Sequence, residues 1–398
     1  MMVAPIDDGL YIGLMSGTSL DGVDAVLADF SSSRARVRGA VYRAFSPALR
    51  GELMALQRPG ADELHRAAVA ANALVDVYAE AVDELLASTA INRDAITAIG
   101  AHGQTVRHRP ADGYTWQINN PARLAEATHI GVVADFRSRD VAAGGQGAPL
   151  VPAFHAALFQ DRKTARAVVN IGGIANITWL PASTGTDDVR GWDTGPGNML
   201  LDAWTERHLG QPFDRDGEWA ASGRIDQTLL ATMKAEPYFA KAPPKSTGRD
   251  LFDSEWLDQR IASLVSGGVS PVAARAGSGS GKGAPVAPQD VQATLLALTA
   301  DTIADALTRH CGDAKSVLLC GGGARNPVLM KALRDALGKA GVVAAVVQTT
   351  DEVGVPSNQV EALAFAWLAR AALSSQPGNL PAVTGARGPR ILGAHYPR

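Results

Sequence analysis

The sequence predicts an α/β protein built as two similar domains, and three observations carry that reading. At 398 residues the chain is longer than one hydrophobic core usually supports. It is 46% hydrophobic but only 6% aromatic, so its apolar content is mostly Ala, Val and Leu, as buried strands and small-residue helices require. A unit of strand, small-residue turn and strand also occurs near the N-terminus and again mid-chain, a spacing far too long for a solenoid.

The first unit has a strand at Leu10–Met15, a turn, and an apolar run at Val23–Phe30. Helical patterning follows from about Ala61 to Ala87, then a short buried strand at Ile96–Ala101. The opening pattern returns as a strand at Ala167–Ile171, a Gly172-Gly173 turn and a strand at Ala175–Leu180. A third unit runs Val317–Cys320 into Gly321-Gly322-Gly323. Asn326 reads as an N-cap and Pro327 as the first residue of a helix to about Leu337. The last helix, Val360–Leu373, is apolar nearly all round and is expected to be buried.

Composition also excludes function classes. A net charge of -3 with no basic stripe argues against nucleic acid. Cys311 and Cys320 are too far apart for a CxxC motif, and two cysteines make no disulfide framework, so the cytoplasm is the expected compartment. The N-terminus lacks a signal-peptide pattern, and no apolar run reaches membrane length. Residues 266–289 turn to Gly, Ser, Ala and Pro and read as a flexible surface insertion. Its Gly281-Lys282 pair mimics a P-loop, but Ala276 and Gly283 stand where that motif needs Gly and Ser or Thr.

The segment Gly13 to Asp24 carries the sharpest chemistry. A tight turn between strands aims several backbone N–H groups one way and suits anionic oxygens. Gly17 permits close approach, and Thr18 and Ser19 add hydroxyls. Asp21 would repel a phosphate unless Mg²⁺ stood between them. An ordinary hairpin is the alternative. Gly172-Gly173 suits the far side of the same phosphates, and Gly321-Gly322-Gly323 the approach to an adenine ring. Each turn alone is weak; the three together are specific.

These turns resemble the phosphate and adenosine motifs of the actin-like ATPase and sugar kinase superfamily. The closer resemblance is to the anhydro-N-acetylmuramic acid kinases. It rests on Met15 to Asp24, Ala101 to Thr105, Ala134 to Asp140 running into Gly144 to Leu150, Asn170 to Asn176, Trp192 to Asn198, and Cys320 to Asn326. It covers nearly the whole chain outside the 266–289 insertion.

The resemblance implies two ribonuclease H-like domains with a nucleotide cleft between them, at 1–136 plus 360–398 and at 137–359. It implies ATP and Mg²⁺ as cofactors, with Gly17, Thr18, Ser19, Leu20, Asp21, Gly22, Val23 and Asp24 as the ATP-binding segment and Asp21 towards the metal. An amino sugar would be the substrate, and a homodimer the assembly. It implies Asp193 as catalytic base. The residues agree, since a carboxylate between Trp192 and a Gly-Pro-Gly turn is partly desolvated and a better base. Capping a helix from about Asn198 is the alternative, though Asn198 suits that role better.

The implied reaction hydrolyses the 1,6-anhydro bond and phosphorylates O6, a step of cell-wall recycling. A plain sugar kinase and a non-catalytic ATP-dependent switch are the alternatives. Arg137 and Arg139 would grip the substrate's lactyl carboxylate, unless they are merely solvated. Glu361 would bond sugar hydroxyls, unless it serves a structural ion pair. His102 reads equally as core histidine or ligand contact, and Lys245 and Arg249 as part of a solvated basic loop.

Overall fold

The computed structural model describes residues 9–17, 19–32, 35–249, 251–266, 286–340 and 346–398. The chain forms two compact units, one of Met1–Arg166, Leu180–Gly191 and Thr350–Arg398, the other of Ala167–Trp179 and Trp192–Thr349.

The first unit holds a sheet of β1 (Leu10–Met15), β2 (Gly22–Asp29), β3 (Arg36–Ala44), β4 (Ile96–Ala101), β7 (Val132–Ala134) and β13 (Ala394–Tyr396), plus a hairpin of β5 (Gln104–Arg109) and β6 (Tyr114–Ile118). The sheet order is β13-β7-β4-β1-β2-β3. The strands β1, β2 and β3 are antiparallel neighbours, and β1, β4 and β7 are parallel. Side chains alternate along β1. Ile12 and Leu14 join the core under the helix Glu63–Thr89. Gly13, between them, meets the helix Val360–Leu373, where a Cβ would overlap the Ala362 carbonyl. Gly100 on β4 meets Phe365 of that helix in the same way. Two positions without Cβ atoms thus let a buried helix lie directly on the sheet.

The second unit repeats the plan. Its sheet contains β8 (Arg166–Ile171), β9 (Ile174–Leu180), β10 (Arg190–Pro196), β11 (Ser316–Cys320) and β12 (Val346–Thr349), in the order β10-β9-β8-β11-β12. Place by place this is the first sheet's β3-β2-β1-β4-β7. The helix Pro288–His310, buried over most of its length, packs with the helices Met199–Leu209 and Pro327–Lys339 in a core separate from that of the first unit. The expected α/β class with two ribonuclease H-like sheets is therefore what the chain forms.

The first unit runs past residue 136 to Arg166 and resumes at Thr350, before 360. Asp140 Oδ1 accepts from Asn379 and Thr384, and β13 pairs with β7, so the 138–149 segment is tied to the C-terminus. The insertion is shorter than read: Pro288 and Gln289 already open the helix Pro288–His310, while 267–285 lie outside the described residues. Among the described residues no helix is long and apolar enough to cross a membrane.

Candidate active site

The β1–β2 turn is braced from below by the start of β5. His102 N donates to the Leu14 carbonyl, and Gln104 Nε2 donates to the Gly17 carbonyl at 3.2 Å. Ser16 Oγ donates to the Gly103 carbonyl at 3.0 Å and lies 2.8 Å from Tyr78 Oη. The Ser16 proton is thereby used, so Tyr78 donates to Ser16. Ser19 Oγ donates to Asp21 Oδ1 at 2.7 Å, which pins the exposed end of the turn. Leu20 sits at φ +57° with its side chain in the core, as is that of Val23, so both reach a ligand only through the backbone. Gly22 is required because a Cβ there would strike the Arg43 carbonyl and the Tyr42 ring. Thr18 lies outside the described residues.

Three carboxylates face one another beside this turn. Asp24 is pushed up from 3.8 to about 7 by burial, then by Asp21, then by Glu361. Tyr42 is pushed up by burial and by Asp21 and Asp24. This surplus of negative charge suits a cation. Among the described residues no group of three or more His, Cys, Asp or Glu is arranged to hold a metal alone. Mg²⁺ commonly takes only one or two carboxylates and completes its shell with phosphates and water.

Arg137 and Arg139 take different places. Arg137 donates to His102 Nε2 and to the Gly147 carbonyl, 2.8 Å away. His102 is a buried core residue, lowered to about 3 by burial and by Arg137. Arg139 is exposed on the short helix Ser138–Ala142. Asp140, next to it, is fully buried and its Oδ2 accepts from Gly147 N at 2.8 Å, shaping the Gly144–Gly147 loop.

In the second unit three glycine turns converge. Gly197 N and Met199 N donate to the Gly173 carbonyl, and Asn198 N to that of Gly172. Asn198 Nδ2 donates to the Ile171 carbonyl at 3.1 Å. Gly321, at φ +83°, lies against Asn170 and Ile171, and Gly323 against Ile171 and Asn198. Asn198 is the N-cap residue of Met199–Leu209 but makes no side-chain cap; its amide spends itself on joining the turns instead. Gly322 is exposed above them.

Asp193 stands within β10, since the strand continues through Thr194 to Pro196, where a loop was expected. Its backbone N donates to the Lys245 carbonyl at 3.1 Å, and its Oδ2 accepts from Thr247 N at 3.0 Å. Tyr238 Oη donates to its carbonyl at 2.8 Å, and burial and Asp193 raise the Tyr238 phenol. The half-buried residue is therefore held at its backbone N and carbonyl and at carboxylate Oδ2. The basic loop is no solvated flap: the Lys245 ammonium donates to the Tyr238 and Phe239 carbonyls and lies 4.6 Å over the Tyr238 ring. Sequence reading passed over Tyr238 and Thr247, because a backbone donor and a lone tyrosine carry no pattern.

The chain matches the family described as anhydro-N-acetylmuramic acid kinase over residues 9–398. A protein of that description from Paraburkholderia xenovorans is 55% identical over 392 residues, 98% of each chain. One from Burkholderia lata is 56% identical over 392 residues, 98% of this chain and 97% of its own. Among solved structures, the activator of the 2-hydroxyisocaproyl-CoA dehydratase from Clostridium difficile with bound ADPNP aligns at a TM-score of 0.46 and 12% identity, over 92% of this chain and 96% of its own.

Proposed function

The chain belongs to the anhydro-N-acetylmuramic acid kinase family, and we propose that it opens the 1,6-anhydro ring of that amino sugar while phosphorylating O6 at the expense of ATP. As a member it is a phosphotransferase acting on a sugar. Asp193 takes a proton from a water that attacks C1. The C1–O6 bond breaks, O6 attacks the γ-phosphorus, and ADP leaves; the product is N-acetylmuramic acid 6-phosphate, for cell-wall recycling. The observation that carries the reading is Asp193 itself, held at Oδ2 by Thr247 N in the same sheet whose three glycine turns converge.

The Gly17–Asp24 segment, Thr18 and Ser19 included, is assigned to the ATP phosphates, and Gly172, Gly173, Gly321, Gly322 and Gly323 are assigned to nucleotide contacts. Mg²⁺ would be held by Asp21 with Asp24 near it, and it supplies neutralisation of the phosphate oxygens. The surplus of carboxylate charge there supports that placement. Glu361, facing Asp24, is assigned to sugar hydroxyls and Arg139 to the lactyl carboxylate. Cytoplasmic location and homodimeric assembly come with the same reading.

Oxygen-18 water tests the hydrolytic step. Label entering C1 of the product supports it; label absent from C1 with full phosphorylation leaves a plain sugar kinase.

A further inference from the structure

Because side chains alternate along β10, Trp192 and Thr194 face away from Asp193. On their side lies a cavity of about 140 Å³, lined among others by Trp192, Thr194, Phe239, Lys245, Arg309 and His310. Two features set it apart from an ordinary packing gap.

First, the Trp192 indole is fully buried and its Nε1–H has no acceptor, although His310 packs edge-on to the ring at 5.5 Å. Buried indole N–H groups nearly always find a partner. Second, Lys245 and Arg309 bring two further cations to the wall, with Asp193 as the carboxylate acting on Lys245. The wall's one carboxylate, Asp305, is taken by Lys234 at 3.1 Å, and Lys234 also holds Asp301 at 3.0 Å. The hydrogen bonds of the Lys245 ammonium go to carbonyls, and Arg309 lines the same wall with an exposed side chain. Burial, then Arg309, then Lys241 lower the Lys245 ammonium, against a smaller opposite pull from Asp193. A buried donor, an ammonium and a guanidinium around one small space form a receptor for an oxyanion.

We propose that this cavity is a second ligand site, distinct from the site of phosphoryl transfer, that takes a phosphate group. The occupant accepts from Trp192 Nε1 and lies between Lys245 and Arg309. No bond forms or breaks. Lys245 also supplies the carbonyl that receives Asp193 N, and Thr247, two residues on, holds Asp193 Oδ2. An anion on Lys245 therefore acts on the loop that orients Asp193. Binding stands without the catalytic role of Asp193; an effect on turnover rests on that role.

The test is calorimetric titration of inorganic phosphate into the full chain saturated with Mg–ADP, which occupies the transfer site. One phosphate per chain should bind in the millimolar range. Arg309→Ala, a change at an exposed side chain, should weaken it at least tenfold, and Trp192→Phe should weaken it several-fold. Parallel titration of glucose 6-phosphate distinguishes sources: tighter binding identifies a phosphomonoester, and binding of phosphate alone identifies the free ion. No phosphate binding in the presence of Mg–ADP, or equal affinity in Arg309→Ala, overturns the proposal.

Discussion

Arg137 donates to Nε2 of His102 twice, through Nε at 3.1 Å and a terminal nitrogen at 2.9 Å. A guanidinium has no acceptor, so Nε2 offers its lone pair and the imidazole proton sits on Nδ1, 3.3 Å from the Ser16 carbonyl. The pair thus runs from the Arg137 loop to the proposed phosphate turn. Arg137→Lys cannot reproduce a two-point contact. It should raise KM for ATP about tenfold, the loss of roughly 1–1.5 kcal/mol expected for a buried hydrogen bond. Steady-state kinetics with each substrate varied will decide. A rise confined to the sugar KM would mean that Arg137 reads the sugar.

Asp193→Asn keeps the shape and loses the base. Turnover should fall about 10²–10⁴-fold, the usual scale of general-base catalysis, with ATP affinity unchanged. Tyr238→Phe removes only the bond to the Asp193 carbonyl and should cost about 1 kcal/mol of stability with a small change in kcat. Rapid-quench single turnovers separate the two. Near-normal turnover in Asp193→Asn would remove it from the mechanism.

Arg139, exposed where Arg137 is engaged, is the arginine assigned to the lactyl carboxylate. Wild type should prefer anhydro-N-acetylmuramic acid over anhydro-N-acetylglucosamine, which lacks that group. Arg139→Ala should shrink the preference about 10- to 100-fold, as for a charged bidentate contact of roughly 1.5–3 kcal/mol. A preference that survives means the carboxylate is read elsewhere.

Much of this was legible in sequence because periodicity and punctuation are local. The strand Leu10–Met15, the cap Asn326 with Pro327, and the helix Val360–Leu373 fall where their patterns put them. Asn326 does accept from Val328 N and Leu329 N. β3 went unread because its residues are mostly half-exposed and do not form an apolar run. β10 went unread because Gly191, Gly195 and Pro196 look like loop residues; Gly191 faces Pro152 and Val383, and Gly195 faces Phe239, so tertiary crowding selects them. The brace of Asp193 by Thr247 joins residues 54 apart, through a backbone donor that any residue type would supply.

Two glycines of the second unit should respond oppositely to alanine. Gly321 combines φ +83° with backbone and side-chain atoms of Asn170 and Ile171 where a Cβ would go. Gly321→Ala should cost about 2–4 kcal/mol, the sum of left-handed strain and overpacking. Gly338, inside the helix Pro327–Lys339, has open space at its Cβ position. Gly338→Ala should stabilise by about 0.5–1 kcal/mol. Urea denaturation of both variants measures this. A neutral Gly321→Ala would show that the turn can shift and would weaken its assignment to nucleotide contact.

The Asp24 carboxyl makes the cation testable without a structure of the complex. Its folded value of about 7 exceeds its ordinary 3.8, owing to burial, Asp21 and Glu361. Between those values the folded chain keeps a proton that the unfolded chain has lost. Stability therefore falls as pH rises from about 4 to about 7, and the contribution is level above that. The loss is at most about 4 kcal/mol at 1.36 kcal/mol per pH unit, and less after relaxation. Asp24→Asn removes the ionisation, so its stability relative to wild type should be higher at pH 8 than at pH 4.5 in thermal melts. If Mg–nucleotide places a cation beside Asp21 and Asp24, the Asp24 value must drop, and binding must release protons near pH 6.5. Calorimetry in two buffers of different ionisation enthalpy counts those protons. Wild type should release a fraction of one, and Asp24→Asn none. Equal proton counts in the two proteins would place the metal away from Asp24.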